Sequence, residues 1–136
     1  MNWLVSSIVA MVCWGIWGLF MKLASKYFSW NQIFIVTSIV TVVASLTVFV
    51  LFKPVINVHS LGFGYALLAG LMGSVALVAF NYAIEAGKSI IVVPISALYP
   101  VVTIILSFLV LHEEISLLKA VGIALGLAAI ILVSMD

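Results

Sequence analysis

Two glutamates stand side by side at Glu113 and Glu114, in a chain of 136 residues with only four acidic residues in all. Adjacent carboxylates can serve as a proton-exchanging pair, as a site for a cationic solute, or as the solvated edge of a helix. The other ionisable groups are sparse: Glu85, Asp136, two histidines and five lysines, with no arginine. His59 and His112 fall in different loops, with no Ser, Cys or Asp at a spacing that would pair a nucleophile with a base. No glycine-rich phosphate loop is present. Cys13 is the single cysteine, so no internal disulfide and no Cys/His metal cluster can form within the chain. A small buried hydrophobe is the role its apolar surroundings suggest. Read together, these residues predict no soluble-type catalytic set, no metal, no cofactor and no enzymatic activity.

The elements that carry these few groups are set by composition. Apolar residues make up 67% of the chain and charged residues 7%, and the mean hydropathy is +1.47. An ordinary soluble domain is about one quarter charged. It also hides only about two thirds of its extended surface when small, so water alone cannot be the solvent here. The chain reads as an integral membrane protein whose first partner is the lipid bilayer. A net charge of +1 without a basic tract excludes nucleic acid as an expected partner. The N-terminal apolar run has no basic flank before it and no small-residue cleavage motif after it. It is therefore expected to remain as a helix in a mature chain that keeps all 136 residues.

Charged and turn-forming residues divide the apolar sequence into five predicted transmembrane helices, at about 3–24, 31–52, 61–84, 90–111 and 116–135. The connections are short, which predicts sequential helices of alternating direction, a single domain over 1–136, and no soluble portion to house separate chemistry. The expected fold class is an all-α membrane protein. Five crossings place the termini on opposite sides. Lys22, Lys26 and Lys88 then share the C-terminal side, while Lys53 and Lys119 share the other. Positive charge in short loops fixes orientation, and three against two is nearly a tie, so the chain is expected to insert both ways or with weakly fixed orientation.

Helix faces carry the remaining signals. In the third predicted helix Gly62, Ala66, Gly70 and Ser74 are four apart, and the fifth carries Gly122 and Gly126. Such small-residue ridges allow close approach of helices where lipid provides no hydrophobic drive. They predict packing between helices or a dimer interface. In the fourth predicted helix Ser96, Tyr99, Pro100, Thr103 and Ser107 share one face by their spacing. Pro94 and Pro100 each remove a backbone donor, which predicts kinks. Such a face either lines a cavity or satisfies itself by bonding back to its own helix. In the second, Thr37, Thr41 and Ser45 form a weaker hydroxyl stripe, for which self-bonding is expected. Trp14 and Trp17 lie too deep in the first helix to be interfacial anchors, unlike Trp3 and Trp30. Lys22, about one turn from its helix end, can snorkel to the interface.

These features resemble one EamA-type repeat of the drug/metabolite transporter superfamily, in particular its five-helix bacterial and archaeal members. The resemblance rests on Trp14-Gly15 followed by Lys22, on Ala83, Ile84 and Gly87 closing the third helix, and on the spacing of Pro100, Glu113 and Gly122. Two positions depart from the pattern. Glu114 stands where a cation is usual, and Ala129 where a second glycine is common. The resemblance implies a multi-pass transporter of the prokaryotic cell (inner) membrane that moves small metabolites or drugs by alternating access. Longer relatives are similar to two such repeats fused with opposite orientation, which implies that a single repeat is completed as an antiparallel homodimer of a dual-topology chain.

The expected cavity lining is Trp14, Trp17, Asn81, Tyr82, Ser96, Tyr99 and Thr103, a mixture of aromatic, amide and hydroxyl groups suited to amphipathic or zwitterionic small molecules. Lys22, Glu85 and Glu113 are the candidates for coupling or charge sites. Glu113 also suits a bland role, since a carboxylate preceding the fifth helix, with Ser116 as its cap, is favoured by the helix dipole. Two other readings use the same features: a non-transporting assembly subunit, and one half of a heterodimeric transporter.

Overall fold

The computed structural model describes residues 2–135, with the side chains of Lys119 and Ser134 left outside the description. The Lys119 share of the charge balance therefore lies outside the described residues. Among the described residues every regular element is a helix: α1 (Trp3–Ala24), α2 (Trp30–Phe52), α3 (Leu61–Ala86), α4 (Ser89–Ser96), α5 (Tyr99–Leu111) and α6 (Leu117–Ser134). Four stretches are long and apolar enough to cross a membrane: Trp3–Ala24, Trp30–Phe52, Leu61–Ala86 and Ser89–Leu111. A shorter apolar stretch, Ala120–Val133, lies within α6. At about 1.5 Å per residue α1, α2 and α3 are about 33–39 Å long, enough to cover a hydrocarbon core of about 30 Å.

The helix ends follow from local chemistry. Asn2 caps α1, its side chain accepting from the Leu4 N–H at 3.1 Å, which satisfies one of the donors that a helix start leaves open. At the start of α2, Gln32 Oε1 reaches back to accept from the Ser29 N–H at 2.9 Å, the reciprocal half of a capping box. Lys53 ends α2 in the left-handed region at φ 44°, its N–H donating to the Phe49 carbonyl. Pro54 follows and prevents continuation. His112 ends α5 in the same region at φ 53°.

The fourth predicted helix is broken rather than kinked. α4 stops at Ser96 and α5 begins at Tyr99, because Pro100 cannot donate to the Ser96 carbonyl and its ring would collide with it. The chain tightens across the gap, with the Leu98 N–H donating to the Ile95 carbonyl at 3.1 Å and the Val101 N–H to the Leu98 carbonyl at 3.0 Å. These three-residue steps keep the path helical while the register shifts. Pro94 sits inside α4 without ending it.

The chain divides into two compact units, one up to Ala86 and one from Gly87. In the first, α3 packs against both α2 and α1. Its buried residues are Gly18 and Met21 of α1, Ile33 of α2, and Asn81 and Ile84 of α3. All lie at one end, where α1 finishes, α2 starts and α3 finishes. In the second unit α4 packs against α6. Half-buried Ile91, Val92 and Val93 belong to α4, and half-buried Ile123, Leu127 and Ile130 to α6.

Candidate functional site

The packed end of the first unit is built by two helix termini facing two charged side chains. The Lys22 Nζ donates to the Ile84 carbonyl at 2.9 Å. That carbonyl is one of the last four of α3, which lack partners within the helix and carry its negative dipole end. An ammonium there is doubly favoured, so the lysine that snorkelling would send outward is turned towards α3. Asn2 and Gln32 cap helix starts locally, whereas Glu85 does so at long range: its Oε2 accepts from the Trp30 N–H at the start of α2. A carboxylate at a helix N-terminus is favoured by the same dipole, with the opposite sign. Lys22 thus ties α1 to α3, and Glu85 ties α3 to α2.

Aromatic rings fill the space beside these ties. Trp17 stacks on Phe80 with centroids 5.0 Å apart and planes at 26°, and Trp30 meets Tyr82 edge-on with centroids 6.5 Å apart at 77°. Both arrangements avoid the unfavourable face-to-face overlap of ring quadrupoles. Trp14, one turn before Gly18, is 60% exposed.

Among the described residues Asn81 is the one buried polar residue, at 0% exposure. Its Nδ2 donates to the Leu77 carbonyl at 2.7 Å, and its Oδ1 has no hydrogen-bond partner. The amide cannot be turned over to improve this, since the Oδ1 would then face a carbonyl oxygen. A buried acceptor without a donor costs about 1–3 kcal/mol, so this position carries a deficit that an apolar residue would avoid.

In the second unit, Ser96 and Thr103 are exposed and Tyr99 is 57% exposed. The Thr103 Oγ1 donates back to the Tyr99 carbonyl at 3.3 Å, the self-satisfied arrangement. Glu113 and Glu114 border a shallow cleft of about 170 Å³ with Ile104, Ser107, Phe108, Ile115 and Ile123. Both carboxylates are exposed. The hydroxyl stripe of α2 also bonds to its own helix, Thr41 to the Thr37 carbonyl at 3.0 Å and Ser45 to the Thr41 carbonyl at 2.9 Å.

The glycines of the small-residue ridges are not crowded. A Cβ built at Gly70, Gly122 or Gly126 would have no atom within 4 Å, and one at Gly62 would meet only the Ser60 hydroxyl at 3.8 Å. Ala66 and Ser74 are exposed on the same helix, and the Ser74 hydroxyl bonds to the Gly70 carbonyl. Packing within each unit therefore does not account for these residues. Gly18, by contrast, is buried in α1.

The sequence profile of the EamA-like transporter family matches residues 1–135. The chain belongs to this family. Its members are membrane transporters of the drug/metabolite type rather than enzymes, and the apolar helices of this chain are those of a membrane protein. The chain is also similar to an uncharacterised protein of Methanocaldococcus jannaschii, 29% identical over 136 residues that cover 98% of this chain and 96% of the relative. No solved structure matches it.

Two participants at the packed end escaped the reading of the sequence. Phe80 is one apolar residue among many, and nothing in its spacing marks it as the partner of Trp17. Trp30 reads as an interfacial anchor, yet its ring meets Tyr82 and its N–H meets Glu85. The one available signal was an acidic residue near the end of α3, since a carboxylate there can reach the N-terminus of a neighbouring antiparallel helix.

Proposed function

We propose that this member of the family transports small amphipathic or zwitterionic solutes, amino-acid-like in character, by alternating access across the prokaryotic cell (inner) membrane. The observation that carries the proposal is the packed end of the first unit: a fully buried amide with an unused acceptor, one residue after Phe80, whose ring stacks on Trp17. Aromatic faces with isolated hydrogen-bonding groups suit a solute that is apolar over most of its surface and polar at one point. In the second unit Ser96, Tyr99 and Thr103 are the residues assigned to solute contact. Lys22, Glu85 and Glu113 are the groups assigned to charge coupling.

The functional form in this proposal is an antiparallel homodimer of a chain with five crossings, α6 making the fifth, with the whole of 1–136 acting as one repeat. The uncovered faces bearing Gly70, Gly122 and Gly126 support a second copy as neighbour, and the near balance of lysines supports insertion in both orientations. Purified protein in liposomes, offered a panel of amino acids and amphipathic amines, is expected to give saturable flux; none across the panel would defeat the reading. Reporter fusions at the C-terminus are expected on both sides of the membrane, and a single side would defeat dual topology.

The same uncovered glycine faces fit an assembly subunit or one half of a heterodimer. For an assembly subunit, bulky residues at Gly122 or Gly126 disrupt assembly while replacement of Asn81 or Tyr99 leaves activity unchanged. Crosslinking between copies of the chain expressed alone separates a homodimer from a heterodimer.

A further inference from the structure

Asn81 lies one turn before the two charged contacts that hold the packed end together. Lys22 is bound to the carbonyl of Ile84, and Glu85 to the N–H of Trp30, so both contacts draw a neighbouring helix towards the last two turns of α3. Gly18 and Met21, on the same face of α1 as Lys22, are buried, as are Asn81 and Ile84 on α3. Beyond this end the helices of the unit are uncovered: α1 is exposed almost throughout before Trp17, and α2 wholly so after Ser38. Lipid offers apolar surface no hydrophobic reason to leave it for another helix, so the two charged contacts, with the Trp17–Phe80 and Trp30–Tyr82 ring pairs that bridge the same helices, hold this end closed. Each charged contact joins a side chain to a helix terminus, and water can replace either partner once they part.

The acceptor on Asn81 is the second, independent observation. It is fully buried and unpartnered, and its Nδ2 is already committed to the Leu77 carbonyl. A permanently held water would need two to four polar partners, and the buried residues at this end, Gly18, Met21, Ile33 and Ile84, bring no polar side chain.

We infer that the Lys22 and Glu85 contacts are a latch over Asn81, and that opening the latch presents the Asn81 Oδ1 to an N–H donor, an ammonium or amide, on the solute. The inference rests on the transporter reading given above. It assigns the two charged residues a gating role, in which they exchange helix termini for water as the end opens, and it assigns Asn81 the choice of solute. The adjacent Trp17 and Phe80 rings take the apolar body of that solute.

Two experiments test the two parts separately. In a Cys13→Ser background, Asn81→Cys is exposed to a membrane-impermeant maleimide. Labelling is expected to be slow, and to quicken about tenfold when Glu85→Leu or Lys22→Met removes one charged hydrogen bond. Equal rates with and without the latch residues overturn the latch. Hydrogen exchange over 77–86, compared between the parent protein and Glu85→Leu, reads the same opening without any change at Asn81. Exchange that does not quicken there also overturns it.

The donor is tested in liposomes with an aromatic alkylamine and its trimethylammonium counterpart, which keeps the charge and lacks the N–H. The parent is expected to favour the amine, and Asn81→Leu to lose that preference while still folding, as judged by its elution on gel filtration. A preference unchanged by Asn81→Leu overturns the donor role. Absence of any saturable flux in the parent defeats the transporter reading and the donor role with it, while the labelling result still decides the latch.

Discussion

The two ends of the α1–α2–α3 unit are built from the same three helices and are held by different means. At one end charged side chains meet helix termini, rings stack, and five residues are buried. At the other, Trp3 to Ile16 of α1, the second half of α2 and the first half of α3 expose nearly every side chain. Hydropathy does not distinguish them, because both are apolar. The difference is where polar and ionic groups sit. In a bilayer those groups, together with close steric fit, supply the association energy that water supplies elsewhere. Within its own unit, the open end therefore leaves a surface free for lipid or for further helices.

The largest expected effect comes from forcing bulk into the closed end. Gly18→Leu places a side chain where α1 is buried, and overpacking of this kind costs about 1–3 kcal/mol. Gly70→Leu, whose Cβ meets nothing within 4 Å, is expected to change the stability of the single chain by less than about 0.5 kcal/mol. Thermal unfolding in detergent compares the two. Equal losses would mean that the ridge on α3 is covered within the chain, and the contrast between the ends would disappear.

A smaller effect separates the carboxylates. Glu85→Ala removes a cap from α2 and is expected to cost about 1 kcal/mol, in the range measured for N-cap losses. Glu113→Ala and Glu114→Ala remove exposed groups at the edge of the α5–α6 cleft and are expected to cost less than about 0.5 kcal/mol. Chemical denaturation of the three variants under one condition checks the order. A loss at Glu113 as large as at Glu85 would show that the adjacent pair, and not the latch, is the structural carboxylate.

How far these differences were legible in the sequence depends on the distance over which each interaction acts. Helix lengths, the loops and the break near Pro100 follow from hydropathy and proline chemistry, which are local. At Pro100 the chain breaks where a kink was expected, whereas the same proline chemistry at Pro94 leaves α4 continuous. The self-bonded stripe of Thr37, Thr41 and Ser45 was also local and was expected. The ties from Lys22 to α3 and from Glu85 to α2 were not legible as ties, since 62 and 55 residues separate the partners and one partner in each is backbone, which leaves no mark on residue identity. The resemblance carried the family, but it could not say that the orphaned acceptor would fall on Asn81.

The smallest expected effect is the most direct check on the open end. Thr41 is exposed on α2 and its hydroxyl already bonds to the Thr37 carbonyl, so it offers a solute an acceptor lone pair but no free donor. Thr41→Val keeps the shape, removes a bond that mainly satisfies the hydroxyl itself, and places an apolar group on an uncovered face. Stability is expected to shift by no more than about 0.5 kcal/mol in either direction, and flux in liposomes to stay at the parent level. A marked fall in flux with unchanged stability would place solute on the exposed side of α2. That outcome would make the open end part of the transport path, and the distinction between a closed functional end and an open supporting end would have to be redrawn along α2.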